Sequence, residues 1–509
     1  IGTIINELKG NFYAFLVESD SISVTSSAFG LLPVYYLNDL TTISSDVRLI
    51  SIQSDKELTQ NKKWIVNQLL FNYQFSDDSY LTEVKSFPSM SYLNIQSSKS
   101  EFKRYFSVED AFLNKPKSWR DALPEISKKF IETTKQYIPR ENSLISFTGG
   151  FDGRTLVSIA SHFKYKFSTV SYGKIENDDV YIPKANSEKL KIPYSLIELE
   201  NKYSQDEYFS SAINYIKNTD GQNGFLYAHV DYFAKQVKEK GDVLLSGICG
   251  SELFRAAHSS GAVTSKALID LFRIDDFQEY KDLIYNSETL VYIDKSEFNE
   301  ALNEVINSTW EYKMTLTQNL DRNKALYVFV YEEIFRKFFG PWVKAQMNDI
   351  KVRTPYLDFD FFKALIKTEL SGAYSEFLTD NPLKRFKGQV LYAEVIKQTN
   401  KSIFWLKTGK GYPPAFVNIP FLRPLLIIPF LKKRITRKTI KTNFDNLGII
   451  SGIKYSANEF KDLSLSLISK NSLLHDLKNL TNTDRETYRD IILMHCSILI
   501  TTDKIKNEE

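Results

Sequence analysis

The stretch Ser143–Phe163 reads SLISFTGGFDGRTLVSIASHF. It begins as an apolar run, breaks at two glycines, places one acid, and resumes with the spacing of an amphipathic helix. A strand ending at Phe147 would be followed by a turn of Thr148, Gly149 and Gly150, whose glycines can take positive φ and approach a ligand closely. Gly153 or Arg154 then opens a helix, whose first N–H groups are unpaired and whose dipole is positive at that end. Such a turn suits phosphate oxygens. Asp152 would repel an anion unless a cation intervenes, so an acid here points to Mg2+. The other reading is an ordinary strand-to-helix turn with a capping acid, because the stretch is not a G-x-x-x-x-G-K-[ST] loop.

A second stretch repeats the grammar. In DVLLSGICGSELFRAAH, Asp242–His258, an apolar strand ends in Ser246-Gly247, followed by Gly250, Ser251 and Glu252. Two glycine-bearing loops at the C-terminal ends of parallel strands would meet at one edge of a sheet, where open α/β folds bind ligands.

Outward from these loops, SLISF, FSTVSYG, YSLIEL and DVLLSG read as strands, and GRTLVSIASHF, VYIPKANSEKL and YAHVDYFAKQVKEK as helices between them. That alternation predicts a parallel sheet with crossover helices. The first hundred residues differ. NFYAFLVES, SISVTSS, PVYYLN, TTISSD and MSYLNIQ alternate with period two and predict antiparallel strands. WRDALPEISKKFIETTKQYI has helical spacing, and after about Ser251 the pattern is mostly helical.

The whole chain narrows the function classes. Its 509 residues imply two to four domains. A net charge of +3, with acids and bases interspersed, offers no nucleic-acid face. The two cysteines, Cys249 and Cys496, make no disulfide framework, so a reducing, cytoplasmic setting is expected. No signal peptide or transmembrane run stands out. IPFLRPLLIIPFL, Ile419–Leu431, is too short to span, and the basic run KKRITRKTIK follows it. It reads either as a membrane-surface or partner patch or as an apolar interface beside a solvated basic face.

The loops resemble those of the asparagine synthase family, in the ATP-pyrophosphatase group that includes β-lactam synthetases and lasso-peptide cyclases. The family's S-G-G-x-D-S is similar to Thr148-Gly149-Gly150-Phe151-Asp152-Gly153, and its S-G-x-G-x-D-E-L-F to Ser246 through Phe254. Its R-x-P-F-L-D is similar to Arg353-Thr354-Pro355-Tyr356-Leu357-Asp358. The order and spacing of the blocks are specific, and the resemblance covers roughly residues 8–415. Where the family's second loop has an acid thought to help hold Mg2+, this chain has Ser251, followed by Arg255. That departure resembles the divergent asparagine synthase-related branch.

The resemblance implies an α/β fold: a parallel-sheet ATP-pyrophosphatase domain of the adenine nucleotide α-hydrolase-like type over 106–415, with a helical C-terminal extension over 416–509. It also implies a partial Ntn-type glutaminase-like antiparallel β domain over 1–105. LKGNFYAFLVE, SSAFGLLPVYY and TISSDVRLI resemble the last half of that domain. The family's catalytic N-terminal cysteine would lie upstream of Ile1, so either these residues are a piece of a longer chain or the domain is shortened. In neither case is glutamine hydrolysis through that cysteine expected of these residues.

By the same resemblance the cofactors are ATP and Mg2+. Thr148, Gly149, Gly150, Asp152, Gly153, Arg154, Ser246, Gly247 and Gly250 would hold pyrophosphate, with Asp152 the Mg2+ contact. Tyr172-Gly173 would meet adenine or ribose. Glu252 and a late lysine, Lys407 or Lys410 in WLKTGKGYPP, would serve catalysis, although a loop lysine also reads as a solvated charge. Asp178 and Asp179 fall near the adenine-side loop and also read as a helix N-cap for the segment from Asp179. Glu332 and Glu333 read as a general base or as helix-surface acids paired with Arg336 or Lys337. His162 and His258 read as packing or surface.

The implied reaction is ATP-dependent amide formation. A small-molecule or peptide carboxylate is adenylated, pyrophosphate leaves, and an amine (ammonia, a glutamine-derived amine or a substrate amine) displaces AMP. Macrolactam or secondary-metabolite cyclisation is an alternative, as is a non-catalytic scaffold. A homo-oligomer is compatible with either.

Overall fold

Strands β1 (Tyr13–Val17), β2 (Ser21–Ser26), β3 (Tyr35–Leu37), β4 (Ile43–Ser44), β5 (Val84–Ser86), β6 (Ser91–Gln96) and β7 (Ser100–Arg104) build the first part of the chain. They pair antiparallel throughout, as a four-stranded sheet β1-β2-β6-β7 and a three-stranded sheet β4-β3-β5. The structure, a computed structural model, describes residues 2–96, 99–140, 142–255, 265–378, 386–429, 431–432, 447–456, 459, 470–480 and 486–507. His258 and nearly all of the basic run after Leu431 lie outside these residues.

Five parallel strands follow: β8 (Ser143–Ser146), β9 (Phe167–Gly173), β10 (Tyr194–Glu198), β11 (Val243–Leu245) and β12 (Lys351–Arg353). Their order is β10-β9-β8-β11-β12. The chain therefore winds outward from β8 in one direction, then returns to β11 on its other side and winds the opposite way. The chain is thus a mixed α/β protein with a five-stranded parallel sheet and antiparallel sheets beside it. Leu144, Ile145, Val170, Leu244 and Leu245 are all buried, the unbroken apolar run of strands covered on both faces. The fifth strand, β12, is absent from the strands read in the sequence, because three residues are too few to show a period.

The predicted helices form as Trp119–Tyr137, Asp152–His162, Asp178–Leu190 and Gly224–Val237. Trp119–Tyr137 and Asp152–His162 pack on each other and on a later helix, Lys387–Thr399. The last helix, Glu486–Asn507, is no appendage. It buries every residue from Ile491 to Ile500 against Gly224–Val237, Tyr208–Asn218 and the early helix Lys62–Phe71. A helix apolar on all sides in this way belongs inside a core. Ser497 Oγ takes the Phe225 N–H at 3.3 Å and donates to Asn223 Oδ1 at 3.0 Å.

Charged residues tie the antiparallel part to the rest. Val330–Phe339 winds with i→i+5 hydrogen bonds, a rare and wide turn. From it Arg336, buried, donates to Phe87 O at 2.7 Å, to Ser86 Oγ at 3.1 Å, to Glu333 Oε2 at 2.7 Å, and to Asp77. Lys337 donates to Ser76 O at 2.6 Å and pairs with Glu333. Glu332 receives a two-pronged Arg104 at 3.0 Å and 3.0 Å and the Val108 N–H at 3.3 Å. Glu333 thus finds the lysine and arginine that the helix-pair reading anticipates, but Glu332 pairs elsewhere and neither acid lies on a helix surface. Both stand at a junction between two parts of the chain.

A small pocket opens at the same junction, lined by Tyr35, Gln74, Asp220, Arg336, Lys337 and Lys344 among others. Among the described residues no helix is long and apolar enough to cross a membrane. Phe421, Ile428 and Leu431 of the apolar segment are exposed.

Candidate functional site

The sheet order places the two glycine loops. Strands β8 and β11 are neighbours, paired from Val243↔Ser143 to Leu245↔Ile145, and the winding reverses between them. A reversal leaves a crevice at the C-terminal strand ends, because the two adjacent connections run to opposite sides. Thr148–Gly153 follows β8 and Ser246–Gly250 follows β11, so both loops flank that crevice.

The glycines are there for close approach. A Cβ on Gly153 would lie 2.1 Å from Ser146 O, so the helix starts directly against the strand it follows. A Cβ on Gly247 would lie 2.7 Å from Asp152 Cβ, and one on Gly250 would lie 2.5 Å from Asp152 Oδ1. The second loop therefore closes on the acid of the first. Gly153→Ala is expected to cost about 3 kcal/mol, because backbone blocks the new methyl. A urea denaturation midpoint that barely moves would contradict the packing.

Asp152 is partly exposed and centrally placed. Its Oδ1 accepts from the Tyr392 hydroxyl, and its Oδ2 from Ser251 Oγ at 3.3 Å. Its backbone carbonyl accepts from Tyr356 at 2.9 Å. Burial raises its pKa above the ordinary carboxylate value, against the pull of the Tyr392 hydrogen bond and the nearby Arg255 and Lys410 charges. Ser251 Oγ also accepts from Arg255 Nη1 at 3.3 Å.

The first loop holds an internal anion. Gly149 N–H donates to Asp179 Oδ1 at 3.0 Å, and Gly150 N–H to Thr148 Oγ1 at 3.3 Å. Asp179 belongs to the first turn of Asp178–Leu190, but the N-cap is Asn177 and not either aspartate, and the Asp179 carboxylate reaches the loop.

A late loop lies across the first. Gly409 N–H donates to Gly149 O at 2.7 Å. Lys410 Nζ stands 5.8 Å from the Phe151 ring centre and contributes to the field at Asp152. Lys407 is exposed and enters only through its carbonyl, which accepts from Arg154 Nη2 at 3.0 Å. Of the two candidate lysines, the fold brings Lys410 to the loops.

Other expected residues sit as follows. Arg154 is fully buried and turns inward. It donates to Gly150 O at 3.3 Å, and Asn186, with its amide oxygen turned to the guanidinium, accepts at 2.9 Å and 3.2 Å. Burial lowers its pKa to about 10. Arg154 thus braces the loop from behind instead of facing the crevice. Glu252 is buried on the short helix Gly250–Phe254, near Cys249 and Tyr392. Ser246 N–H donates to Arg353 O at 2.9 Å, tying the second loop to β12. Tyr172 packs tilted against His229 and edge-on against Phe233, each with ring centres 5.2 Å apart, and Gly173 ends β9 with φ 128°. His162 is exposed beside Phe163.

Tyr392 and Asn186 are the site residues that the sequence does not reveal as such, and Asp179, read there on the adenine side, instead reaches the first loop. Tyr392 comes from Lys387–Thr399, where nothing local marks it. Tyr356 lies within RTPYLD, so that block does carry its signal.

The donor set does not fit a divalent cation held by the chain. Asp152 is one carboxylate whose oxygens already accept from two hydroxyls. The adjacent position is a serine bound to a guanidinium. Among the described residues no group of three or more His, Cys, Asp or Glu side chains gathers to hold a metal. Compared with models of known protein families the chain matches none, and no curated protein matches it.

Proposed function

We propose that the chain is an ATP-dependent amide-forming ligase of the asparagine synthase type, built on an ATP-pyrophosphatase domain. The observation that carries the reading is the meeting of two glycine loops around Asp152 at the reversal of the sheet, with Lys410 laid over them. In the proposed reaction a carboxylate oxygen attacks the α-phosphorus of ATP. The bond to the β-phosphate breaks, and pyrophosphate leaves with the electron pair. An amine then attacks the acyl carbon, the C–N bond forms, AMP departs and the amine proton is lost.

The chain's part is orientation and charge. The loop N–H groups would exchange Asp179 for a phosphate oxygen, while Lys410 and Arg255 would offset charge on pyrophosphate and on the tetrahedral oxyanion. The test is pyrophosphate and AMP release from ATP over a panel of amino-acid and peptide carboxylates. Release of both with at least one carboxylate is expected. Neither product with any carboxylate, together with no ATP binding by calorimetry, sinks the reading.

A second reading, a binding protein that does not turn over, is favoured by one observation: Gly149 N–H and both Asp152 oxygens are already occupied by the chain's own groups. ATP binding without either product would select it. Cyclisation of a peptide or secondary metabolite differs from the main reading only in the product, an intramolecular amide.

A further inference from the structure

The position of one cation beside the loops departs from what the resemblance implies. Arg255 ends the short helix that starts in the second loop, and its N–H donates to Ser251 O at 2.9 Å. Its stem is seated on Gly388, where a Cβ would come within 2.5 Å of Arg255 Cγ. Its backbone carbonyl accepts from the Tyr327 hydroxyl. The Arg255 backbone is therefore held at both its N–H and its carbonyl, and its stem is seated on Gly388. From there Nη1 reaches Ser251 Oγ at 3.3 Å, and Ser251 Oγ reaches Asp152 Oδ2 at 3.3 Å. A guanidinium thus stands one hydroxyl beyond the acid, in the place where a second acid and a metal ion would otherwise meet.

The neighbouring loop already pairs with an anionic group of the chain itself. Gly149 N–H already holds an anionic oxygen, Asp179 Oδ1, at 3.0 Å. A carboxylate there shows what the loop N–H accepts: one oxygen of a charged group, in the geometry that a phosphate oxygen shares.

We propose that this chain binds pyrophosphate groups through Arg255 in place of a protein-held divalent cation, so that binding at the loops does not require a metal ion. The inference rests on the ligase reading for the identity of the ligand. Its physical reason is charge. A serine offers a divalent cation no charge, and a guanidinium beside it repels one. The same guanidinium presents paired N–H donors that match two phosphate oxygens. Ser251 and Arg255 therefore work as a unit, the hydroxyl holding the arginine where the absent acid would have held a metal.

The experiment is calorimetry of inorganic pyrophosphate with the full chain, once in EDTA and once in excess Mg2+. Affinity in EDTA is expected within about threefold of that in Mg2+, a difference under 1 kcal/mol. Arg255→Gln is expected to weaken binding in EDTA by about tenfold or more, the worth of a charge-assisted hydrogen bond. The double variant Ser251→Asp with Arg255→Gln is expected to make binding depend on Mg2+. Far-UV circular dichroism checks that each variant is folded, and Arg255→Lys, which keeps the charge, serves if the glutamine variant is not. If the wild type binds pyrophosphate only with Mg2+, and Arg255→Gln changes nothing, the inference is overturned and the ligase reading stands. If pyrophosphate binds under neither condition, both fall.

Discussion

On the ligase reading, Asp152→Asn is expected to lower pyrophosphate formation by at least about a hundredfold while the protein stays folded. The charge of Asp152 orients Ser251 and, through that hydroxyl, Arg255, so the magnitude is that of losing one preorganised electrostatic group. The variant is chosen because its shape fits. The Asn oxygen still accepts from Tyr392, and its amide can donate to Ser251 Oγ, which accepts as readily as it donates. The charge alone is lost. The sign for stability follows from the direction of the shift. Burial raises the Asp152 pKa in the folded state, so the ionised carboxylate costs stability at pH values above that pKa. Removing the charge should leave the neutral-pH thermal midpoint unchanged or higher. Lost activity with a steeply lowered midpoint would instead make Asp152 a structural anchor.

Arg336→Ala should lower unfolding free energy by about 3–5 kcal/mol, the range for removing one partner of a buried charge network. Arg336 is 6% exposed and reaches Asp77, Ser86 and Phe87 of the antiparallel part and Glu332 and Glu333 of its own helix. Truncation leaves Glu333 to Lys337 alone and frees the Phe87 carbonyl. The paired change Glu333→Gln with Arg336→Met should recover part of the loss, since both charges leave together. Urea denaturation gives both numbers. A single-variant loss below about 1 kcal/mol, the level of an exposed pair, would mean that water reaches the junction freely.

What the sequence reveals divides along the range of the interactions. Strands β8 to β11 are readable because a strand covered on both faces must be apolar along its length. The loops are readable because only glycine tolerates a backbone oxygen 2.1 Å from a Cβ or a carboxylate 2.5 Å away. Tyr392 is not readable, because its hydroxyl matters only once Lys387–Thr399 has packed against Asp152–His162. Glu332 and Glu333 show the same limit. Their helical spacing to Arg336 and Lys337 is plain, but nothing local says that Arg104 and Asp77 will be brought to them. Lys407 and Lys410 stand three residues apart in one loop, and only the folded loop, tied by Gly409 to Gly149, brings Lys410 and not Lys407 beside Phe151 and Asp152.

The last helix sets a schedule. Trp64 in Lys62–Phe71 and Thr501 in Glu486–Asn507 both close on Gly221, where a Cβ would lie 3.0 Å from Trp64 Cζ2 and 2.5 Å from Thr501 Cγ2. The early helix therefore completes its contacts only when the late one has been made. Some 420 residues separate Phe71 from Ile491, which at roughly 5–20 residues per second is on the order of 20–80 s of synthesis. During that interval the part of the early helix that the late one covers is open, while its packing on Lys266–Arg273 and Asn299–Thr317 can form sooner.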